Sequence, residues 1–204
     1  MRLIHRPSRR SLLQLGALAA LAATRPLPAA AQATAPAAPP ELASELPSAR
    51  WRGTGVLRFL GLHVYDAHLR SAEAVAGDGA AQPLALALAL ALALALALAL
   101  VYARQLVGEQ IASRSLKEMS RIGRVSDEQS ARWLKAMIQL FPDVKDGDRL
   151  TGIQRPGVAT RFFLNGQFRG EVADAEFTRL FFGIWLSPRT SEPRLREQLL
   201  GGRT

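Results

Sequence analysis

Leucine and alanine alternate without a break from Leu84 to Leu100, and this run of 17 residues constrains the fold more than any other part of the chain. Successive side chains of a β-strand point to opposite faces, so a strand here would have all its leucines on one face and all its alanines on the other. A helix would distribute the leucines around every side, although leucine and alanine both favour helices. The alternation therefore favours a strand of a half-buried sheet.

The length of the run exceeds what one strand of a small domain needs. Its 17 residues would extend ~56 Å at ~3.3 Å per residue, so we interpret the run as an expanded dipeptide repeat. Pairs of residues can be added without changing which side chains face the core, but the register is weak because a slip by two residues restores the pattern. Partial conversion to helix and a membrane span remain alternatives, since the run is near the ~17-residue lower limit for a span.

Strands precede helices along much of the remaining sequence. Asn165-Gly166 is a favoured two-residue hairpin turn, Ser126 and Gln129 form a capping-box pattern, and Asp174 can cap a further helix. The predicted strands are 55–60, 62–69, 148–154, 159–164 and 167–172, and the other predicted helices are 108–122, 126–141 and 192–200. A curved antiparallel sheet with helices packed on one face would bury the apolar stripes of these helices, which makes the predicted fold class α+β.

The N-terminus has the pattern of an export signal. Ser8-Arg9-Arg10-Ser11-Leu12-Leu13 is a twin-arginine sequence, an apolar run follows at 15–23, and small residues suited to cleavage occupy 29–33. We expect residues 1–33 to be a Tat-type signal peptide and the mature protein to be periplasmic. An uncleaved N-terminal anchor is the alternative.

The remaining chain has the length of one domain. Residues 34–50, rich in proline and alanine, predict a flexible linker before a domain at 51–204, which contains the 84–100 repeat. The formal charge of +9 falls to +4 when five arginines before residue 33 are removed with the signal. Basic residues do not cluster with aromatic ones, so we expect no nucleic-acid partner, whereas weak attraction to anionic lipid is compatible with the charge. The lack of cysteine excludes disulfides and cysteine-ligated zinc.

The acidic and histidine residues do not predict a metal centre. His63 and His68 are five apart on a predicted strand, which places them on opposite faces. The three aspartates within 143–148 lack the spacing of a calcium-binding loop and are interpreted as a turn. We therefore expect neither a metal ion nor a cofactor.

Four spaced motifs carry a resemblance to a known family. They are Phe141-Pro142-Asp143-Val144, Asp146-Gly147-Asp148, Asn165-Gly166 and Phe181-Phe182-Gly183-Ile184-Trp185-Leu186. Together they resemble the bacterial exported branch of the chalcone-isomerase-like family over roughly residues 51 to 204. The resemblance implies an open-faced β-sandwich with a ligand cleft between sheet and helices. The family contains isomerases, fatty-acid-binding proteins and members without known activity.

The catalytic residues of the plant isomerases are not matched. Their arginine follows a Gly-x-Gly-x pattern, and here Gly53-Thr54-Gly55-Val56 is followed by Leu57, with Arg58 one position later. That shift sends Arg58 to the opposite face of a strand unless a bulge intervenes. The family's threonine is matched by Tyr65, and its tyrosine and asparagine fall near Val107 and Arg114.

Two hypotheses of function follow from the cleft that the resemblance implies. The first is a non-catalytic binder of a fatty acid or similar apolar carboxylate, which an arginine could bind through paired hydrogen bonds. The second is an isomerase or intramolecular lyase of the chalcone isomerase type, with Arg58 and Tyr65 as its rearranged catalytic residues. The candidate ligand-binding residues are Arg58, Tyr65, Tyr102 and Arg104. We expect a small apolar or acyl partner, do not favour membrane association, and make no prediction of oligomeric state.

Overall fold

Six antiparallel strands form one sheet within residues 35–73 and 94–201, the parts of the chain that the computed structural model describes. These residues all belong to the second of two compact units, Ala35–Thr204. Neighbours in the sheet are neighbours in sequence, so the order is β1-β2-β3-β4-β5-β6. The strands are β1 Arg50–Phe59, β2 Leu62–Ser71, β3 Leu96–Tyr102, β4 Arg149–Arg155, β5 Ala159–Leu164 and β6 Gln167–Val172.

Helices follow the first three strands and the last one, and a short helix precedes them all. In the described ranges the helices are α1 Glu41–Glu45, α2 Gly108–Ile122, α3 Asp127–Leu140, α4 Ala175–Leu186 and α5 Pro193–Leu199. The capping box of Ser126 and Gln129 begins α3, and the Asp174 side chain caps α4, as predicted. The predicted α+β fold, a curved antiparallel sheet with helices, is confirmed.

Strand β3 contains the end of the Leu-Ala repeat. Leu96, Leu98 and Leu100 face the main core, which α2 to α5 cover, and Ala97 belongs to a small cluster on the other face. The predicted separation of leucine from alanine is therefore confirmed for this part of the run. Residues 84–93 lie outside the described residues. In the described parts of the chain, no helix combines the length and apolar character needed to cross a membrane.

The N-terminal segment differs from the expected linker. Leu42 of α1 and Leu46, which directly follows the helix, are buried on the outer face of the sheet, where they pack with Ile153 and Phe163. Glu45 forms ion pairs with arginines of β4 and β5, which hold this segment beside the strands. Proline and alanine set the composition of the segment, but two leucines one helical turn apart determine its packing.

A β-bulge in β2 alters the predicted pattern of faces. Leu57 pairs with Tyr65 and Arg58 pairs with His63, so Val64 is the additional residue. His63 Nε2 consequently lies 3.0 Å from Asp66 Oδ1, on the face that Asp66 shares with His68. The prediction that the two histidines face opposite sides is therefore wrong, because it assumed an uninterrupted strand.

Candidate ligand cavity

A cavity of about 280 Å³ lies between the helix-covered face of the sheet and helices α2, α4 and α5. This volume is near the lower end of the roughly 300–1,000 Å³ typical of small-molecule sites. Twelve of its lining residues are aliphatic, phenylalanine or tryptophan: Leu57, Phe59, Val64, Leu100, Leu106, Ile111, Phe141, Leu150, Phe181, Ile184, Trp185 and Leu195. The other lining residues are Tyr65, Tyr102, Arg104, Gln110, Arg114, Ser115, Glu118, Ser191 and Glu192.

Strand alternation decides which residues of β1 reach the cavity. Leu57 and Phe59 line it, whereas Arg58 between them is exposed and is not among the lining residues. The bulge at Val64 lies in β2, and the irregularity of β1 itself lies earlier, between Trp51 and Gly53, so β1 alternates regularly from Gly53 to Phe59. The structure therefore separates Arg58 from the other three predicted site residues, Tyr65, Tyr102 and Arg104, which all line the cavity.

Two phenols, the buried Tyr102 and the partly buried Tyr65, lie side by side in the cavity lining. The rings of Tyr65 and Tyr102 meet edge to face with centroids 5.9 Å apart. Trp185 Nε1 donates a hydrogen bond of 2.9 Å to the Tyr65 hydroxyl oxygen, which leaves the Tyr65 proton free to be donated. The Tyr102 hydroxyl has no hydrogen-bond partner among the described residues.

Burial keeps both phenols protonated. Desolvation raises the pKa of Tyr65 far above its ordinary value, and the hydrogen bond from Trp185 opposes this only in part. Desolvation raises the pKa of Tyr102 in the same way, with Tyr65 adding to the shift. Both groups are therefore neutral hydrogen-bond donors at physiological pH, suited to an acceptor oxygen of a ligand.

The charged residues of the lining differ in their partners. Arg114 forms a 2.8 Å ion pair with the buried Glu118, which also lies 3.5 Å from Arg121. Arg104 is exposed and has no ion pair within the described residues. Desolvation dominates the raised pKa of Tyr65, and among the charged residues of the lining the half-buried Glu192 raises that pKa while Arg114 lowers it. Arg104 is thus the cation of the lining that remains available to an anionic group.

The sequence did not identify the polar residues that α2 contributes. Ile111, Arg114, Ser115 and Glu118 recur at helical spacing and line the cavity together. This i, i+3, i+4, i+7 spacing was a readable signal, because it places polar residues on the helix face that contains Ile111. Arg114, the position matched to the family's asparagine, lies in the lining, whereas Val107, matched to its tyrosine, does not.

A cluster of polar side chains lies on the outer face of β1 and β2, away from the cavity. Thr54 Oγ1 lies 2.8 Å from His68 Nδ1, near the His63–Asp66 pair. Burial lowers the pKa of His68, and Asp66 opposes that shift. No group of three or more metal-ligating side chains within 35–73 and 94–201 is placed to hold a metal ion.

Comparison with known proteins supports the observed fold. A family model described as chalcone isomerase-like matches residues 87–201, more than half of the chain. The chain therefore belongs to the chalcone isomerase-like family.

One sequence relative and one solved structure extend this result. The chain is 34% identical over 100 residues to an uncharacterized protein of Haemophilus influenzae, and the match covers 49% of this chain and 48% of that protein. This chain therefore spans about half the length of that relative. The fold is similar to the crystal structure of a fatty-acid binding protein of Arabidopsis thaliana, with a TM-score of 0.57 and 15% identity over 75% of this chain and 87% of the plant chain.

Proposed function

We propose that this protein is a non-catalytic binder of a fatty acid or a similar apolar carboxylate. The observation that carries the proposal is the composition of the cavity, in which an apolar wall surrounds two protonated phenols and Arg104 remains unpaired in the described structure. The fold shared with a plant fatty-acid binding protein supports it. We further propose that the protein is exported, as the sequence around Arg9 and Arg10 predicts.

The polar groups of the lining predict which part of the cavity would bind the carboxylate of the ligand and which part its hydrocarbon chain. A carboxylate is stabilised by charge-assisted hydrogen bonds from an arginine and by neutral hydroxyl donors. Arg114 of the lining is paired with Glu118, whereas Arg104 has no ion pair within the described residues, so we place the carboxylate by Arg104 and Tyr102 and the hydrocarbon chain among the apolar residues. Burial of the chain supplies most of the affinity, because each buried methylene contributes ~0.8 kcal/mol.

Native mass spectrometry of the protein recovered from a periplasm tests the proposal, because intact mass reports cleavage and bound ligand together. We expect a species lacking the signal that contains an acyl-sized adduct. Calorimetry of the delipidated protein should then show tighter binding of dodecanoate than of dodecanol, since the two share a chain and differ in charge. Arg104→Gln should reduce dodecanoate affinity about tenfold, and Tyr102→Phe by about three- to tenfold.

Arg58→Gln is the matched control, because it removes an exposed arginine on the other face of β1. It should leave dodecanoate affinity unchanged. Equal effects of Arg104→Gln and Arg58→Gln would place the carboxylate elsewhere. A protein that binds neither compound, or that cyclises a chalcone, would contradict the proposal.

A further inference from the structure

The turn that joins β1 to β2 forms an apolar tip made of Phe59, Leu60 and Leu62. The exposed fractions of these residues are 56%, 86% and 53%. Phe59 also lines the cavity, so the tip and the cavity share a wall. Three large apolar side chains at the end of one hairpin are a concentrated exposed surface, which is a feature of interaction sites.

The backbone of the turn does not explain the choice of leucine. Leu60 and Gly61 have φ values of 49° and 79°, the geometry of a two-residue turn that favours asparagine before glycine. The chain has that favoured sequence in another turn of this geometry, where Asn165 and Gly166 have φ values of 50° and 89°. Leucine at position 60 thus adopts an unfavourable conformation and leaves its side chain in water.

Positive charge lies beside the tip. Arg58 precedes Phe59 in the chain, and the hydrogen bond from Ala103 N–H to the Val64 carbonyl holds neighbouring Arg104 near the start of β2. Both guanidinium groups are exposed, and neither has an ion pair within the ranges described. The nearby Asp66 carboxylate is already bonded to His63. An apolar tip with flanking arginines matches a bilayer interface, where acyl chains lie beneath anionic phosphates.

We propose that this apolar tip inserts into the interfacial region of a phospholipid bilayer, with Arg58 and Arg104 against the phosphate groups. A second copy of the chain is a poorer occupant, because three side chains supply far less than the ~800 Å² per partner of a stable interface. Insertion would bring the Phe59 wall of the cavity to the lipid. Exchange of an acyl ligand between the bilayer and the cavity would depend on the proposed function, whereas binding of the tip to vesicles would not.

The test is flotation of ligand-free protein with vesicles of phosphatidylcholine containing one-third phosphatidylglycerol. Wild type should float with the vesicles, and raising the salt from 0.1 to 0.5 M should weaken the association. Leu60→Asn should weaken partition about tenfold or more, because it removes the most exposed apolar side chain. Asparagine suits the φ of this position, so the variant should retain the thermal stability of wild type.

Val158→Asn is the matched control, since Val158 is 62% exposed in the β4–β5 turn at the opposite end of the sheet. It should float like wild type. Wild type that stays off vesicles, or Leu60→Asn that floats equally well, would overturn the proposal. A concentration-dependent dimer that Leu60→Asn abolishes would overturn it in favour of a second copy. Dodecanoate affinity measured without vesicles should be unchanged in Leu60→Asn, so this test is separate from that of ligand binding.

Discussion

Individual glycines show why some positions of the sheet tolerate no side chain. A Cβ atom on Gly53 would lie 2.2 Å from the carbonyl oxygen of Gln198 and 2.5 Å from that of Leu199. Both atoms belong to the backbone at the end of α5, so the helix itself would have to move. The Gly-x-Gly pattern of β1 therefore allows α5 to approach the sheet and place Leu195 at the cavity.

Gly53→Ala should lower the free energy of unfolding by about 1–3 kcal/mol, the usual cost of overpacking. The matched control is Gly152→Ala on β4, where the nearest atom to a new Cβ is Phe181 Cε1 at 3.5 Å. That contact is ordinary, so the control should be neutral or slightly stabilising. Urea denaturation gives both values, and similar losses in the two variants would show that the approach of α5 is not the cause.

At the scale of an element, a single carboxylate, that of Asp174, caps helix α4. Asp174 Oδ1 accepts hydrogen bonds of 3.0 Å from the N–H groups of Glu176 and Phe177, while Oδ2 accepts one of 2.9 Å from Trp133 Nε1. Burial alone would raise the pKa of Asp174, but these bonds and the one from Arg132 lower it overall. One carboxylate thus begins α4 and joins it to α3.

Asp174→Ala should reduce the free energy of unfolding at pH 7 by about 2 kcal/mol, because it removes a cap and leaves the Trp133 N–H unpaired. A lowered folded pKa means that the ionised group stabilises the fold fully above the unfolded value of about 3.9 and progressively less as pH falls through the folded pKa. The difference between wild type and variant should shrink with acidification, as measured by denaturation from pH 7 to pH 3. Asp146→Ala, in an exposed loop, should show no such difference.

The elements were largely predictable because their signals are local. Ser126, Asp174 and Asn165-Gly166 determine caps and a turn through neighbouring backbone atoms, and the structure has each of them. The cavity was less predictable, since a bulge at Val64 and the α2 face beside Ile111 depend on packing between elements distant in sequence. The packing of α1 was not predicted for the same reason, because Leu42 and the following Leu46 are buried only by contact with the outer face of the sheet.

At the scale of the whole molecule, the sheet is covered on both faces by unequal layers. Helices α2 to α5 form the thick layer, and the segment with α1 forms the thin one over Ala97, Ile153 and Phe163. An ion pair between Glu41 and Arg149 joins the thin layer to the sheet, with 3.3 Å between Oε2 and Nη2. It protects apolar strand surface that would otherwise be open to other chains.

Replacing Leu42 and Leu46 together by alanine should lower the free energy of unfolding by roughly 2–4 kcal/mol, less than two deep core truncations because the cluster is small. Binding of a hydrophobic dye should rise as the outer face of the sheet becomes exposed. Val158→Ala, which shortens an exposed side chain, should change neither quantity. Unaltered stability in the double variant would mean that the thin layer does not contribute to the fold.

The alternation that ends in β3 also has a consequence for the gene. Leu96 to Leu100 followed by Val101-Tyr102 is the same strand however many Leu-Ala pairs precede it. A hexanucleotide gained or lost by replication slippage within the repeat therefore leaves the wall of the cavity chemically unchanged. The insertion or deletion of a single codon upstream of Leu96 likewise leaves the sequence of β3 unchanged. Alleles of different repeat length should accordingly encode the same cavity, with the variation confined to the connection between β2 and β3.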